Sequence, residues 1–151
     1  MEQGLHDLLY VLLADDDADD RMFFEDAIRE LRLNLDFRTV KDGLELMDYM
    51  LGSGIILPQI LFLDLNMPFK NGFQCLKEIR ALKAFEDMFI VIYSTTARPT
   101  DIDVAFERGA SLFIQKPNSY SELKLIMQKV FETNFLELKP SRERFEFRFG
   151  P

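Results

Sequence analysis

The feature that most limits what this chain can become is an alternation: five short apolar, β-rich runs are separated by stretches whose apolar residues recur at helical spacing. Residues 8–14 read LLYVLLA and precede the stripe Phe24, Ala27, Ile28 and Leu31. Residues 35–40 form a second run, less apolar and so expected at a sheet edge. Asp42, with Glu45 three residues on, predicts a capped helix burying Leu44, Met47 and Leu51. The run 60–63 is followed by the stripe Cys75, Leu76, Ile79 and Leu82, the run 88–93 by a helix over 100–108 that Gly109 ends in a left-handed cap. The fifth run, 111–115, leads to Ser119 and Glu122, a capping box opening a helix with Leu123, Ile126, Met127, Val130 and Phe131 on one stripe. Parallel neighbours need crossover helices, so this order predicts a five-stranded parallel sheet covered on both faces, a three-layer α/β domain over residues 1–134. In such sheets the functional crevice lies beyond the carboxyl ends of the strands.

Composition narrows the function. With 18 Lys and Arg against 26 Asp and Glu the formal charge is −8. Such a chain has no general attraction to nucleic acid or anionic membranes, and neither is expected as a direct partner. Cys75 is the single cysteine, which excludes internal disulfides and cysteine-based zinc clusters. The apolar stretch 55–65 is interrupted by Pro58, Gln59 and Asp64, well short of the roughly 20 residues of a membrane span. The first residues include Glu2 and Asp7 and lack the basic start of a signal peptide, so a cytoplasmic location is expected.

Chemistry concentrates at the strand ends. After the first run stand Asp15, Asp16, Asp17, Asp19 and Asp20. Asp17, Asp19 and Asp20 read as an acidic N-cap, favoured by the helix dipole. Asp15 and Asp16 follow directly from a buried strand, where like charges call for a hard cation with oxygen ligands, here Mg²⁺. Asp64 ends the third run and projects into the same crevice, while Ser94 and Lys116 end the fourth and fifth. A carboxylate nucleophile facing a hydroxyl, an ammonium and a metal suits phosphoryl transfer through an aspartyl phosphate.

The set Val11 to Asp17, Arg21, Leu63-Asp64-Leu65-Asn66-Met67-Pro68, Gly72, Ser94-Thr95, Gly109-Ala110, Phe113 and Lys116-Pro117 resembles the receiver domain of two-component response regulators, over about residues 8 to 133. The resemblance implies a flavodoxin-like fold with strand order 2-1-3-4-5, phosphorylated with Mg²⁺ by a histidine kinase or histidine phosphotransfer protein. It implies Asp64 as phosphoacceptor, Asp15 and Asp16 as the metal-holding pair, and the backbone carbonyl of Asn66 as a further metal ligand. Ser94 would be the switch hydroxyl, Phe113 the aromatic switch and Lys116 the phosphate-pairing lysine, with a cis peptide before Pro117. Thr95 departs from the smaller residue frequent in the family, and its bulk would narrow access to the site. By composition alone Phe113 reads as core. A haloacid dehalogenase-type phosphatase also forms an aspartyl phosphate, but Asp15-x-Asp17 lacks the Gly and Thr or Val that should follow. A pseudo-receiver would have lost an acid or the lysine.

Residues 135–151 are too few for an output domain. A stand-alone receiver then acts through phosphorylation-dependent contacts with a downstream protein, or as a phosphorelay intermediate. The stretch 144–149 alternates Phe145, Phe147 and Phe149 with Arg144, Glu146 and Arg148, a one-sided strand pattern. Its rings should be buried, either against the chain's own sheet edge or in a homodimer, and the dimer is preferred.

Overall fold

Side chains alternate across a strand, and here that alternation builds two cores from one sheet. The computed structural model describes residues 8–52, 56–133 and 141–147. Strands β1 (Leu9–Ala14), β2 (Leu35–Val40), β3 (Ile60–Leu63), β4 (Phe89–Ser94), β5 (Leu112–Gln115) and β6 (Glu146–Phe147) form one parallel sheet in the order β2-β1-β3-β4-β5-β6. Helices α1 (Ala18–Glu30), α2 (Gly43–Leu51), α3 (Gly72–Arg80), α4 (Pro99–Glu107) and α5 (Tyr120–Glu132) are the crossovers, and a single turn, α6 (Arg142–Phe145), precedes β6. Val11, Leu13, Phe62, Val91, Tyr93 and Ile114 point to the layer of α1 and α5, packing on Phe24, Ile28, Ile126 and Met127. Leu12, Leu61, Leu63, Ile90, Ile92 and Phe113 point to the other layer, on Leu46, Leu76, Ile79 and Ile102. The flavodoxin-like order 2-1-3-4-5 is therefore present, extended by one strand.

The local signals act as expected at most helix ends. Asp17 Oδ1 accepts from the backbone N–H groups of Asp19 and Asp20 at 2.9 and 3.0 Å, Asp42 caps α2, Ser119 caps α5, and Gly109 takes φ 93° after α4. β2 is the partly exposed edge strand that its composition predicts.

The expected inner face of α2 needs correction. Leu44 and Leu51 are 50% and 63% exposed, and the buried stripe is Gly43, Leu46, Met47 and Met50. Apolar residues occur on every side of this helix, so periodicity could not choose the face; backbone packing does. A Cβ on Gly43 would lie 2.0 Å from the Lys70 carbonyl oxygen, so the first turn of α2 approaches that backbone closely on the face that buries Leu46, Met47 and Met50.

The C-terminal segment departs from its strand pattern too. Arg144 and Phe145 lie in the turn α6, and among the described residues of the segment 146 and 147 alone pair, parallel with Phe113 and Ile114 of the same chain. That turn drops Phe145, 1% exposed, between Phe106 of α4 and Phe113 of β5, with ring centroids 5.1 and 6.3 Å away in edge-to-face arrangement. Burying Phe145 thus needs no second copy, contrary to the preference for a dimer. Arg148 and Phe149 lie outside the described residues.

At the end of the sheet where β4 and β5 begin, Arg80 ties three segments together. Its guanidinium donates to the carbonyls of Gly109, Phe85 and Glu86 at 2.8, 2.7 and 3.3 Å and to Ser111 Oγ at 3.2 Å, and Ser111 Oγ in turn accepts from Ile90 N–H.

Candidate functional site

Sheet register builds the site. Ala14 pairs with Leu63, so the next residue on each of these central strands is an acid, and Asp15 and Asp64 emerge side by side. Their amides continue the ladder, Asp64 N–H to Ala14 O at 3.0 Å and Asp15 N–H to Val40 O at 3.1 Å. Both are buried, at 0% and 4% exposure. Asp15 Oδ1 accepts from Asp17 N–H at 3.0 Å and Asp64 Oδ1 from Asn66 N–H at 3.2 Å, which leaves both Oδ2 atoms to face Lys116.

Lys116 follows β5, where its N–H bonds the Ser94 carbonyl at 2.8 Å. Its ammonium lies 2.8 Å from Asp15 Oδ2, 2.8 Å from Asp20 Oδ2 and 3.2 Å from Asp64 Oδ2, and 5.5 Å from the centroid of the Tyr93 ring. Burial alone would lower the lysine pKa, but the hydrogen bonds and charges of these carboxylates hold it above the ordinary range. Burial raises Asp64 to about 6, with Asp15 adding repulsion and Lys116 opposing. Asp15 is raised by burial as well, again against Lys116.

One ammonium does not balance four carboxylates, Asp15, Asp16, Asp20 and Asp64. Although Lys116 stands close to Asp15 Oδ2, the contact lacks hydrogen-bond alignment, and this buried oxygen has no hydrogen-bond donor. Asp15, Asp16 and Asp64 each offer a carboxylate oxygen within 4.8 Å of the others. An orphaned buried oxygen beside two more hard donors, with excess negative charge, fits a divalent cation such as magnesium.

The loop after β3 is held tightly beneath the acids. Gly72 N–H bonds Leu65 O at 2.9 Å, and a Cβ on Gly72 would lie 2.2 Å from the Asp64 carbonyl oxygen, so the start of α3 can approach this closely only as glycine. Asn66 is exposed, with its backbone N–H on Asp64. The Ser94 hydroxyl is buried and engaged with Thr96, accepting from its N–H and sharing a hydrogen bond with its Oγ1, both at 3.2 Å. Thr95 is exposed, and its carbonyl accepts from Gln115 Nε2. Phe113, 0% exposed, sits in the opposite layer beneath Phe145. Of the expected residues, then, Asp15, Asp16, Asp64 and Lys116 converge; Ser94 borders them through the bond of its carbonyl to Lys116 N–H, with its hydroxyl on Thr96, and Phe113 lies in the other core layer. The peptide before Pro117 is trans, since no cis bond occurs among the described residues; this corrects the expected cis state and follows the intrinsic preference.

Two neighbours went unread in the sequence. Asp20 reads as one more first-turn acid of α1, but its carboxylate accepts a hydrogen bond from Lys116. Its signal was position: the first turn after β1 starts at the crevice. Tyr93 reads only as a strand aromatic.

The order 2-1-3-4-5 with an acid pair, a third acid and a lysine at the carboxyl ends of the strands defines a receiver fold. Residues 11–128 match the response regulator receiver domain. The chain is 30% identical over 152 residues to the two-component response regulator ARR6 of Arabidopsis thaliana, covering 95% of this chain and 80% of that one. It is 28% identical over 123 residues to a chemotaxis protein CheY homolog of Campylobacter jejuni, covering 82% and 92%. The phosphorylated cyanobacterial phytochrome response regulator RcpA superposes with a TM-score of 0.79 at 26% identity, covering 83% of this chain and 93% of that one. The chain belongs to the response regulator receiver family, whose members are signalling domains. No described helix is long and apolar enough to cross a membrane.

Proposed function

We propose that Asp64 accepts a phosphoryl group from the phosphohistidine of a histidine kinase or phosphotransfer protein, and that the phosphorylated domain signals by contact with a downstream protein. The observation that carries this is the convergence of Asp64 Oδ2 and Lys116 in a buried crevice with the donorless Asp15 Oδ2. Asp64 attacks phosphorus, the new O–P bond forms as the P–N bond breaks, and the leaving imidazole keeps the electron pair and takes up a proton. Lys116 pairs with a phosphoryl oxygen, and the Ser94 hydroxyl leaves Thr96 to donate to another. Asp15, Asp16, Asp64 and the carbonyl of Asn66 would hold Mg²⁺, which neutralises phosphoryl charge when bound. On this reading the residues serve self-catalysed transfer and hydrolysis of the domain's own phosphoryl group.

Burial, with repulsion from Asp15, raises the Asp64 pKa to about 6, and a cation in the site would favour its ionised form. A relative at 26% identity has been crystallised phosphorylated, which supports the reading. Incubation with an acyl phosphate and Mg²⁺ tests it by intact mass: wild type should gain one phosphoryl group and Asp64→Asn none. Equal labelling of the two would assign the phosphate elsewhere.

A further inference from the structure

We infer that Asp20 is a positioning residue that competes with the phosphoryl group for Lys116; this rests on Asp64 being the phosphoacceptor. Lys116 has three N–H donors and its side chain is 8% exposed, so most of its partners are protein groups. Its two aligned hydrogen bonds go to Asp20 at 2.8 Å and to Asp64 at 3.2 Å. The shorter one therefore belongs to an acid on α1 and not to the phosphoacceptor. The Tyr93 ring occupies a further side of the ammonium.

The three carboxylates around Lys116 differ in what phosphorylation does to them. Asp64 becomes the site of the new group. Asp15 Oδ2 makes no aligned hydrogen bond and can exchange its 2.8 Å ion pair with Lys116 for a cation. Asp20 has neither fate: its carboxylate is 36% exposed, at the rim, and its charge stays on the ammonium. A phosphoryl oxygen then faces a lysine already half neutralised, with an uncompensated carboxylate a few ångströms further on. In this reading Asp20 lowers the stability of the phosphorylated state while holding Lys116 in place in the resting one.

Removing the charge should thus favour the anion. At the partly screened separations of this crevice one carboxylate changes the affinity for an added anion on the order of tenfold. The probe is beryllofluoride with Mg²⁺, titrated calorimetrically into the full chain, with Mg²⁺ alone titrated separately. Asp20→Asn should bind beryllofluoride about tenfold more tightly and Mg²⁺ no more tightly than wild type, and the gain should shrink as salt is raised. Asp20→Glu, which restores the charge, should return toward wild type. Asp19→Asn removes the same charge from an exposed neighbour without a Lys116 contact, and should move beryllofluoride affinity less than about twofold.

A purely structural role for Asp20 would weaken both titrations together, and that result overturns the inference. So does an Asp20→Asn protein with unchanged or weaker beryllofluoride binding, or an Asp19→Asn gain equal to that of Asp20→Asn. Wild type that binds no beryllofluoride at all, and takes no label from an acyl phosphate, overturns the phosphoacceptor reading itself and this inference with it.

Discussion

Phe62 and Phe145 are equally hidden from solvent, yet their loss should cost different amounts. Phe62, 0% exposed, lies on the central strand β3 with its ring 4.8 Å from that of Phe24. Neither side of its cavity can move away, so Phe62→Ala should cost the about 3–5 kcal/mol of an embedded core phenylalanine. Phe145, 1% exposed, belongs to a short segment whose contacts lie on α4 and β5. Burying its ring contributes about 2–3 kcal/mol, and each edge-to-face pair about 0.5–1.5. The exposed Arg142–Asp103 pair at 2.7 Å adds less than about 1. The conformational entropy lost on ordering residues 141–147 opposes this and offsets most of it. Docking is thus marginal, and once the ring is gone the segment leaves as a unit. Phe145→Ala should therefore cost only the docking free energy, about 1–2 kcal/mol, a fall in Tm of roughly 2–8 °C. Deleting residues 141–151 should cost the same within about 0.5 kcal/mol. Urea unfolding of the three variants decides it. If Phe145→Ala costs as much as Phe62→Ala, or clearly less than the deletion, independent docking is the wrong picture.

Three further outcomes follow from the site. Asp64 has a folded pKa of about 6, above its unfolded value, so the native state binds more protons between about pH 4 and 6 and loses stability as pH rises through that window. Without metal, Asp64→Asn should therefore be more stable than wild type at pH 7.5, by about 1–3 kcal/mol, and the gap should close toward pH 4; a gap independent of pH would contradict the burial of its charge. Mg²⁺ should stabilise wild type by about 2.7 kcal/mol at a hundred times its dissociation constant and Asp16→Asn much less, read as the rise in Tm on adding metal; an equal rise in both places the ion elsewhere. Beryllofluoride with Mg²⁺ should change hydrogen exchange at Thr96, along α4 and in β5, because Ser94 must release Thr96; changes confined to the loop after Asp64 would refute that coupling.

The acids were legible because they break a rule: charge directly after an apolar strand has no packing reason to be there, and register alone then brings Asp15 beside Asp64. Strands and caps were legible for the same local reasons. What escaped was decided by tertiary approach. The α2 face turned on the contact of Gly43 with Lys70, and the use of Asp20 turned on a lysine 96 positions away. In the C-terminal segment period two was present, but a ring slot between Phe106 and Phe113 outweighed it and coiled residues 142–145 into a turn.

The contacts of Arg80 have a consequence for how the molecule can be watched. Among the described residues every hydrogen-bond acceptor it uses is a carbonyl or a hydroxyl, neither of which changes charge with pH. The opposite end of the sheet carries a cluster of charges whose balance a proton, a cation or a phosphoryl group would shift. One end is therefore a fixed anchorage and the other an adjustable one, on strands only four to six residues long. Amides around Ile90 and Ser111 form an internal standard: signals there should hold steady across any titration that acts through the crevice, and drift only when the whole domain loosens.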